Sequence, residues 1–211
     1  MTEFYVPTGH SKAELTEKRS RFIGRVWRVE TEEQARGCIE STRKKEYDAN
    51  HNCWCYVLHD GTVRCSDDGE PQGTAGQPML AVFRREGIEN VCCVVTRYFG
   101  GVLLGAGGLV RAYTQSAKDA LDAAGVSVVR RWIAVDVPCP YAKLETLRRE
   151  LAAFDGAEEG VDYGAEVLLH ALLPEERRAA FCARVTDLTA GAVSPRELGE
   201  RLRDVPFRAP K

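Results

Sequence analysis

Apolar residues recur with two periods along this chain, and each change of period marks a new element. Alternation over residues 4–17 and 19–29 predicts two strands, with Phe22, Val26 and Val29 as apolar positions and a bulge at Gly24. The order Thr31-Glu32-Glu33-Gln34 reads as a capping box opening a helix to about Tyr47, with Ala35, Cys38, Ile39 and Thr42 on one stripe. Residues 51–58, rich in aromatic and β-branched types, predict a strand. Asp60-Gly61 is a turn signal, and Thr62–Cys65 is the returning strand. A helix is expected over Thr74–Arg85. Val91–Val95 is apolar without interruption, which predicts a strand buried on both faces. Small residues at Ala106, Ala112, Ser116, Ala117, Ala120 and Ala124 give a helix over Gly105–Ala124 a narrow side that can lie close to a sheet, and Gly125 is placed to end it.

The second part of the chain is shorter and more regular. Ile133–Val137 predicts a strand, and Leu144, Leu147, Leu151 and Phe154 a helix stripe. Residues 157–162 and 165–173 predict a hairpin around Asp162-Tyr163-Gly164. Pro174 with Glu175 and Glu176 suits a helix start, with Phe181, Val185 and Leu188 facing its core. A last strand near 192–198 completes the order βαββαβ, a ferredoxin-like pattern. The fold class is therefore α+β: residues 1–131 form an N-terminal layer domain, 132–198 a ferredoxin-like domain, and 199–211 a mobile tail.

Two glycine-rich segments interrupt this regularity. Ser66–Pro78 combines glycines with two prolines and the carboxylates Asp67, Asp68 and Glu70; Thr96–Tyr113 places five glycines between Arg97 and Arg111. Long irregular runs of this kind build a shaped surface, because glycine reaches backbone conformations and close approaches closed to other residues. The runs SDDGEPQGTAGQPML and VVTRYFGGVLLGAGGLVRAYTQSA, with EKRSRFIG and DANHNCWCYV, resemble the signature of the YigZ/IMPACT family over the first two thirds of the chain. The remainder is similar to the small C-terminal domain of the bacterial members.

That resemblance implies a first domain like domain 2 of the small-subunit ribosomal protein S-five superfamily, with helices on one face of a mixed sheet. It implies a second domain like a C-terminal domain of elongation factor G. It further implies a non-catalytic binding role in translation or its regulation, with RNA, the ribosome or a translation-associated protein as partner. Eukaryotic relatives restrain a stress kinase acting on a translation initiation factor by competing for its ribosome-associated activator. The extra N-terminal domain they use is not in this sequence, so that kinase role is not expected to carry over.

Composition narrows the chemistry. A net charge of −2 sets up no bulk field toward nucleic acid or an anionic membrane, and no DNA specificity is expected. The first residues carry no signal-peptide pattern, and no apolar run reaches the ~20 residues of a membrane span. The chain is expected to be cytoplasmic, and its eight cysteines to be thiols.

Candidate sites follow from the two loops. Gly105-Ala106-Gly107-Gly108 at a helix start can hold an anion. Gly100 and Gly105 have P-loop spacing, but Ala106 stands where the lysine belongs, and Val110 replaces the last glycine of the dinucleotide fingerprint. The expected binding set is Arg97, Gly100, Gly101, Gly105, Gly107, Gly108 and Arg111, serving phosphate or nucleic-acid backbone. Asp67, Asp68 and Glu70 are structural candidates that cap the helix region at Thr74 or pair with Arg97 and Arg111. The alternative makes them metal ligands or a base in an enzyme acting on a phosphorylated small molecule. His51, Cys53, Cys55 and Cys65 lack the usual zinc spacing, so no metal and no cofactor are expected. His51 and His59 are candidate bases for a cysteine nucleophile, though nothing marks them out; His10 and His170 are read as ordinary, and Lys18, Arg19, Arg21 and Arg25 as a solvated basic face.

Overall fold

The computed structural model describes residues 3–210. In chain order the strands and helices are β1 (Phe4–Pro7), β2 (Ser11–Glu17), β3 (Ser20–Arg28), α1 (Glu32–Lys45), β4 (His51–Val57), β5 (Val63–Ser66), α2 (Gly76–Glu86), β6 (Val91–Tyr98) and α3 (Gly105–Ala124). They continue as β7 (Val126–Cys139), α4 (Leu144–Ala153), β8 (Ala157–Tyr163), β9 (Val167–Pro174), α5 (Glu175–Leu188) and β10 (Arg196–Arg208). The chain separates into two units. The larger holds Phe4–Val128 and the segment from Val205; the smaller holds Val129–Asp204 and Glu3.

In the larger unit a five-stranded sheet runs in the order β2-β3-β6-β4-β5, and every ladder in it is antiparallel. The first seven residues of β6, the central strand, are all buried. Cys93 and Val95 meet Met79, Phe83, Ala117 and Leu121 of α2 and α3. Cys92 and Val94 point the other way, to Ala35 and Ile39 of α1. Helices therefore cover both faces of an antiparallel sheet, not one face of a mixed sheet. A strand apolar on both sides needs cover on both.

Gly24 does not mark a bulge. The register runs unbroken through Ala13↔Gly24 and Gly24↔Val95. A Cβ at Gly24 would come within 2.3 Å of the Ser116 carbonyl oxygen, so glycine here admits the backbone of α3 against the strand. Thr31 does cap α1, its hydroxyl accepting the Gln34 N–H at 3.2 Å. Gln34 Oε1 reaches back to the N–H of Glu30, one residue before the cap.

The smaller unit packs α4 and α5 through Leu147, Leu151, Phe181 and Val185 on one side of β7 and β9. Strand order β8-β9-β7 with β10 also pairing β7 gives the ferredoxin-like arrangement, and β1 adds a fifth strand on β7. Residues 199–208, expected as a mobile tail, are instead the greater part of β10. Its side chains are nearly all exposed, so its sequence carries no period-two signal; the strand is held through backbone pairing with β7. Arg201 pairs with Glu159 at 2.9 Å, and Arg203 lies 5.3 Å from the Trp132 ring. Among the described residues, no helix is long and apolar enough to cross a membrane.

Candidate functional site

The loop between β5 and α2 carries the three carboxylates, and each meets a protein partner. Asp67 accepts the N–H groups of Gly73 at 2.8 Å, Ala75 at 3.1 Å and Gly76 at 2.8 Å, so it caps α2, whose own N-cap, Ala75, has no side chain to do so. Burial works against its charge, yet these donors hold the Asp67 carboxyl below its usual range. Asp68 accepts the Asn52 N–H at 2.7 Å and pairs with Arg43, while its carbonyl meets His51 Nδ1 at 2.8 Å. Glu70 turns inward. Its Oε1 accepts from Arg97 Nη1 and from the Tyr113 hydroxyl, each at 2.7 Å, and His51 Nε2 lies 3.9 Å away.

The residues weighed for zinc fall into this network or the core beside it. Cys53 Sγ donates to the Asp67 carbonyl and lies 3.3 Å from the Tyr113 hydroxyl, and burial pushes its thiol well up. Cys55 is wholly buried beside Cys93 and opposite the half-buried Cys65 across the β4–β5 ladder. A thiol held neutral by burial is a poor nucleophile and a poor metal ligand.

The second loop, between β6 and α3, separates the residues expected to converge. Arg97 is buried, its Nη2 3.4 Å from Ser20 Oγ and its guanidinium 5.5 Å from the rings of Phe22 and Phe99. Its charge is met internally by Glu70. Arg111 is exposed and makes no ion pair among the described residues. Gly101, Gly105 and Gly107 are exposed and Gly108 half-buried at the surface end of α3. Gly100 serves packing. A Cβ there would fall 2.1 Å from the backbone of Arg19, at the turn joining β2 to β3, and the Gly100 N–H donates to Ser20 Oγ.

Around this anchored loop the surface is apolar. Leu103 is 82% exposed, with Phe99, Val102 and Val110 also open to solvent. A hollow of about 440 Å³ between α3 and the edge strand β2 is lined by Leu15, Val110 and Ala112 together with Glu17, Arg111 and Gln115. The arrangement offers a contact face, an apolar knob beside the exposed Arg111, over a buried polar network.

Arg25, expected on a solvated face, is buried against α1. It donates to Thr96 Oγ1 at 3.0 Å and pairs with Glu46, whose other oxygen accepts from Tyr98 at 2.8 Å. Burial and the carboxylates of Glu46 and Asp48 push the Tyr98 hydroxyl up to about 12. The sequence pattern does not reveal Ser20 as a partner of this site, or Leu103 as its most exposed apolar residue. Tyr113 stands among the aromatics near Arg97 and Arg111 in the sequence, but its hydrogen bond to Glu70 is tertiary.

Comparison with known proteins places these features in context. The Impact N-terminal domain model matches residues 18–121, and the Domain of unknown function (DUF1949) model matches residues 137–192. The chain is 37% identical over 180 residues to IMPACT family member YvyE of Bacillus subtilis, covering 84% of this chain and 83% of that protein. It is 37% identical over 180 residues to IMPACT family member YigZ of Escherichia coli, covering 83% and 88%. Protein IMPACT of Mus musculus is 32% identical over 111 residues, 49% of this chain and 34% of that protein. A crystal structure of a hypothetical protein superposes with a TM-score of 0.60 at 33% identity, covering 94% of this chain and 98% of the other.

Proposed function

Because the chain belongs to the IMPACT family, we propose that it is a non-catalytic binding protein linked to translation or its regulation, whose contact face is the β6–α3 loop with the first turns of α3. The observation that carries this reading is the contrast within one loop. The charges at its root are paired and buried, while Leu103 at its tip is 82% exposed. Isolated apolar side chains are common on surfaces, but three on one anchored loop, with Val110 in the first turns of α3, are a feature of interaction sites. The ribosome, or a protein acting with it, is the partner class that the family's link to translation supports.

The enzyme reading is the weaker one. It needs Asp67, Asp68 or Glu70 free to hold a metal or take a proton, and each is occupied by backbone or side-chain donors.

The test is co-sedimentation of the tagged full chain with ribosomes at low and high salt. The expected result is binding at low salt that Leu103→Asp abolishes. Arg111→Ala should weaken it and flatten its salt dependence, since a lost phosphate contact releases fewer counterions. Equal sedimentation of parent and both variants would remove the loop from the interface; absence of sedimentation by the parent at low salt would remove the ribosome.

A further inference from the structure

On the α1 face of the sheet, Trp54 and Tyr56 stand two residues apart on β4 and so project to the same side. Their rings stack with centroids 5.7 Å apart and planes 7° from parallel. Arg64 faces Tyr56 across the β4–β5 ladder. From α1 come Arg36, Ile39 and Arg43, spaced three and four apart along one face of the helix. Together with Glu32 and Glu40 of the same helix, these side chains bound a hollow of about 270 Å³. None of them belongs to the contact face of the β6–α3 loop.

One cationic group in this hollow is not used by the fold. Arg36 is paired with Glu32 and Arg43 with Asp68, but Arg64 donates only to the carbonyl of Val63 and meets no carboxylate among the described residues. A stacked aromatic pair and an unmatched guanidinium thus share one small concavity, with Glu32 and Glu40 on its helix side.

We propose that this hollow binds a single nucleobase with its phosphate: the ring stacks at Trp54, and the phosphate is held by Arg64. Aromatic faces and guanidinium planes are the surfaces on which unstacked bases settle, and the arginine fork suits phosphate oxygens. The volume lies below the roughly 300–1,000 Å³ of pockets that enclose a whole drug-sized ligand, which fits one ring system with its phosphate left at the rim. The same chemistry is offered by a free nucleotide and by a base splayed from single-stranded RNA.

The experiment is an equilibrium titration of the full chain with a fluorescein-labelled ten-nucleotide single-stranded RNA, and a parallel series with the four nucleoside monophosphates as competitors. Saturable RNA binding at low salt is expected. Trp54→Ala should weaken it by roughly tenfold or more, the scale of one lost base stack, and Trp54→Phe should keep most of it. Arg64→Ala, at an exposed position, should weaken binding and lower the salt slope while leaving the melting temperature unchanged; it keeps the test valid if Trp54→Ala does not fold. Competition by a monophosphate at micromolar concentration assigns the hollow to free nucleotides; competition by the oligomer alone assigns it to RNA. Failure of the RNA and all four monophosphates to bind at low salt overturns the proposal. So does parental affinity in a folded Trp54→Ala or in Arg64→Ala. Leu103→Asp should leave this binding intact, so loss of ribosome sedimentation and loss of base binding are separate outcomes.

Discussion

Glu70 and Arg97 meet at 2.7 Å with side chains 2% and 7% exposed, in a loop and a strand 27 residues apart in sequence. A pair so far from water contributes little net stability over a well-packed apolar pair, but removing one partner strands the other's charge. Glu70→Ala is expected to lower the unfolding free energy by about 3–5 kcal/mol in urea denaturation. Glu70→Leu combined with Arg97→Met should recover much of that loss. A single-variant loss below about 1 kcal/mol, the range of exposed pairs, would mean that water reaches the pair.

Asp67 caps α2 through three N–H groups, and its carboxyl ionises below the usual range. A depressed folded value stabilises the protein above the unfolded value, near 3.9, and the contribution is lost as pH falls through the folded value. Asp67→Ala should cost about 0.5–2 kcal/mol at neutral pH, and the gap from the parent should close in melts taken toward pH 2. A gap that stays constant with pH would locate the loss in packing, not in the cap.

Two glycines of the second loop should respond with opposite sign. Gly100→Ala forces a Cβ to within 2.1 Å of the Arg19 backbone, so the β2–β3 turn or the loop must shift and the melting temperature must fall. At Gly107, within α3, the nearest atom to an added Cβ is the flexible end of Arg111 at 3.6 Å. Alanine there should be neutral or stabilising by up to about 1 kcal/mol. Calorimetry of the two variants side by side checks this.

His170 Nδ1 lies 2.6 Å from Asp136 Oδ1 and Nε2 3.1 Å from Asp162 Oδ2, so it is not the ordinary strand residue its sequence position suggests. Its hydrogen bond to Asp136 first, and then that to Asp162, raises its ionisation above the usual 6.5. A raised folded value means that the stabilisation is fully present below the unfolded value and is lost as pH rises through the folded one. An NMR titration should place His170 above an unstructured histidine. Asp136→Asn should lower it and reduce the fall in melting temperature above neutrality. Asp162→Asn should matter less, because that carboxylate is 78% exposed and screened.

The fold was legible wherever burial is one-sided or complete. The apolar run at 91–95 announced the central strand, and the small-residue stripe of α3 announced its close packing. What periodicity could not supply was which face each helix covers, because a strand apolar on both sides is silent about its neighbours. The edge strand β10 escaped for the opposite reason: backbone pairing leaves no mark on side-chain hydrophobicity. At the site, Asp67, Asp68 and Glu70 were legible as candidates for capping and pairing, but the inward turn of Arg97 was not. An arginine on a mixed-polarity strand end reads the same whether its partner is Glu70 or a phosphate. Trp54 and Arg64 looked like ordinary strand residues because their meeting with α1 is tertiary.

The larger unit is completed by residues from both ends of the chain. Arg208 pairs with Glu86 at 2.8 Å, and Pro210 packs on Gly125. During synthesis, Glu86 and Asp122 therefore wait for more than eighty further residues before Arg208 reaches them. The sheet and helices of Phe4–Val128 are synthesised well before the segment from Val205, so the contacts of Arg208 are the last of that unit to close.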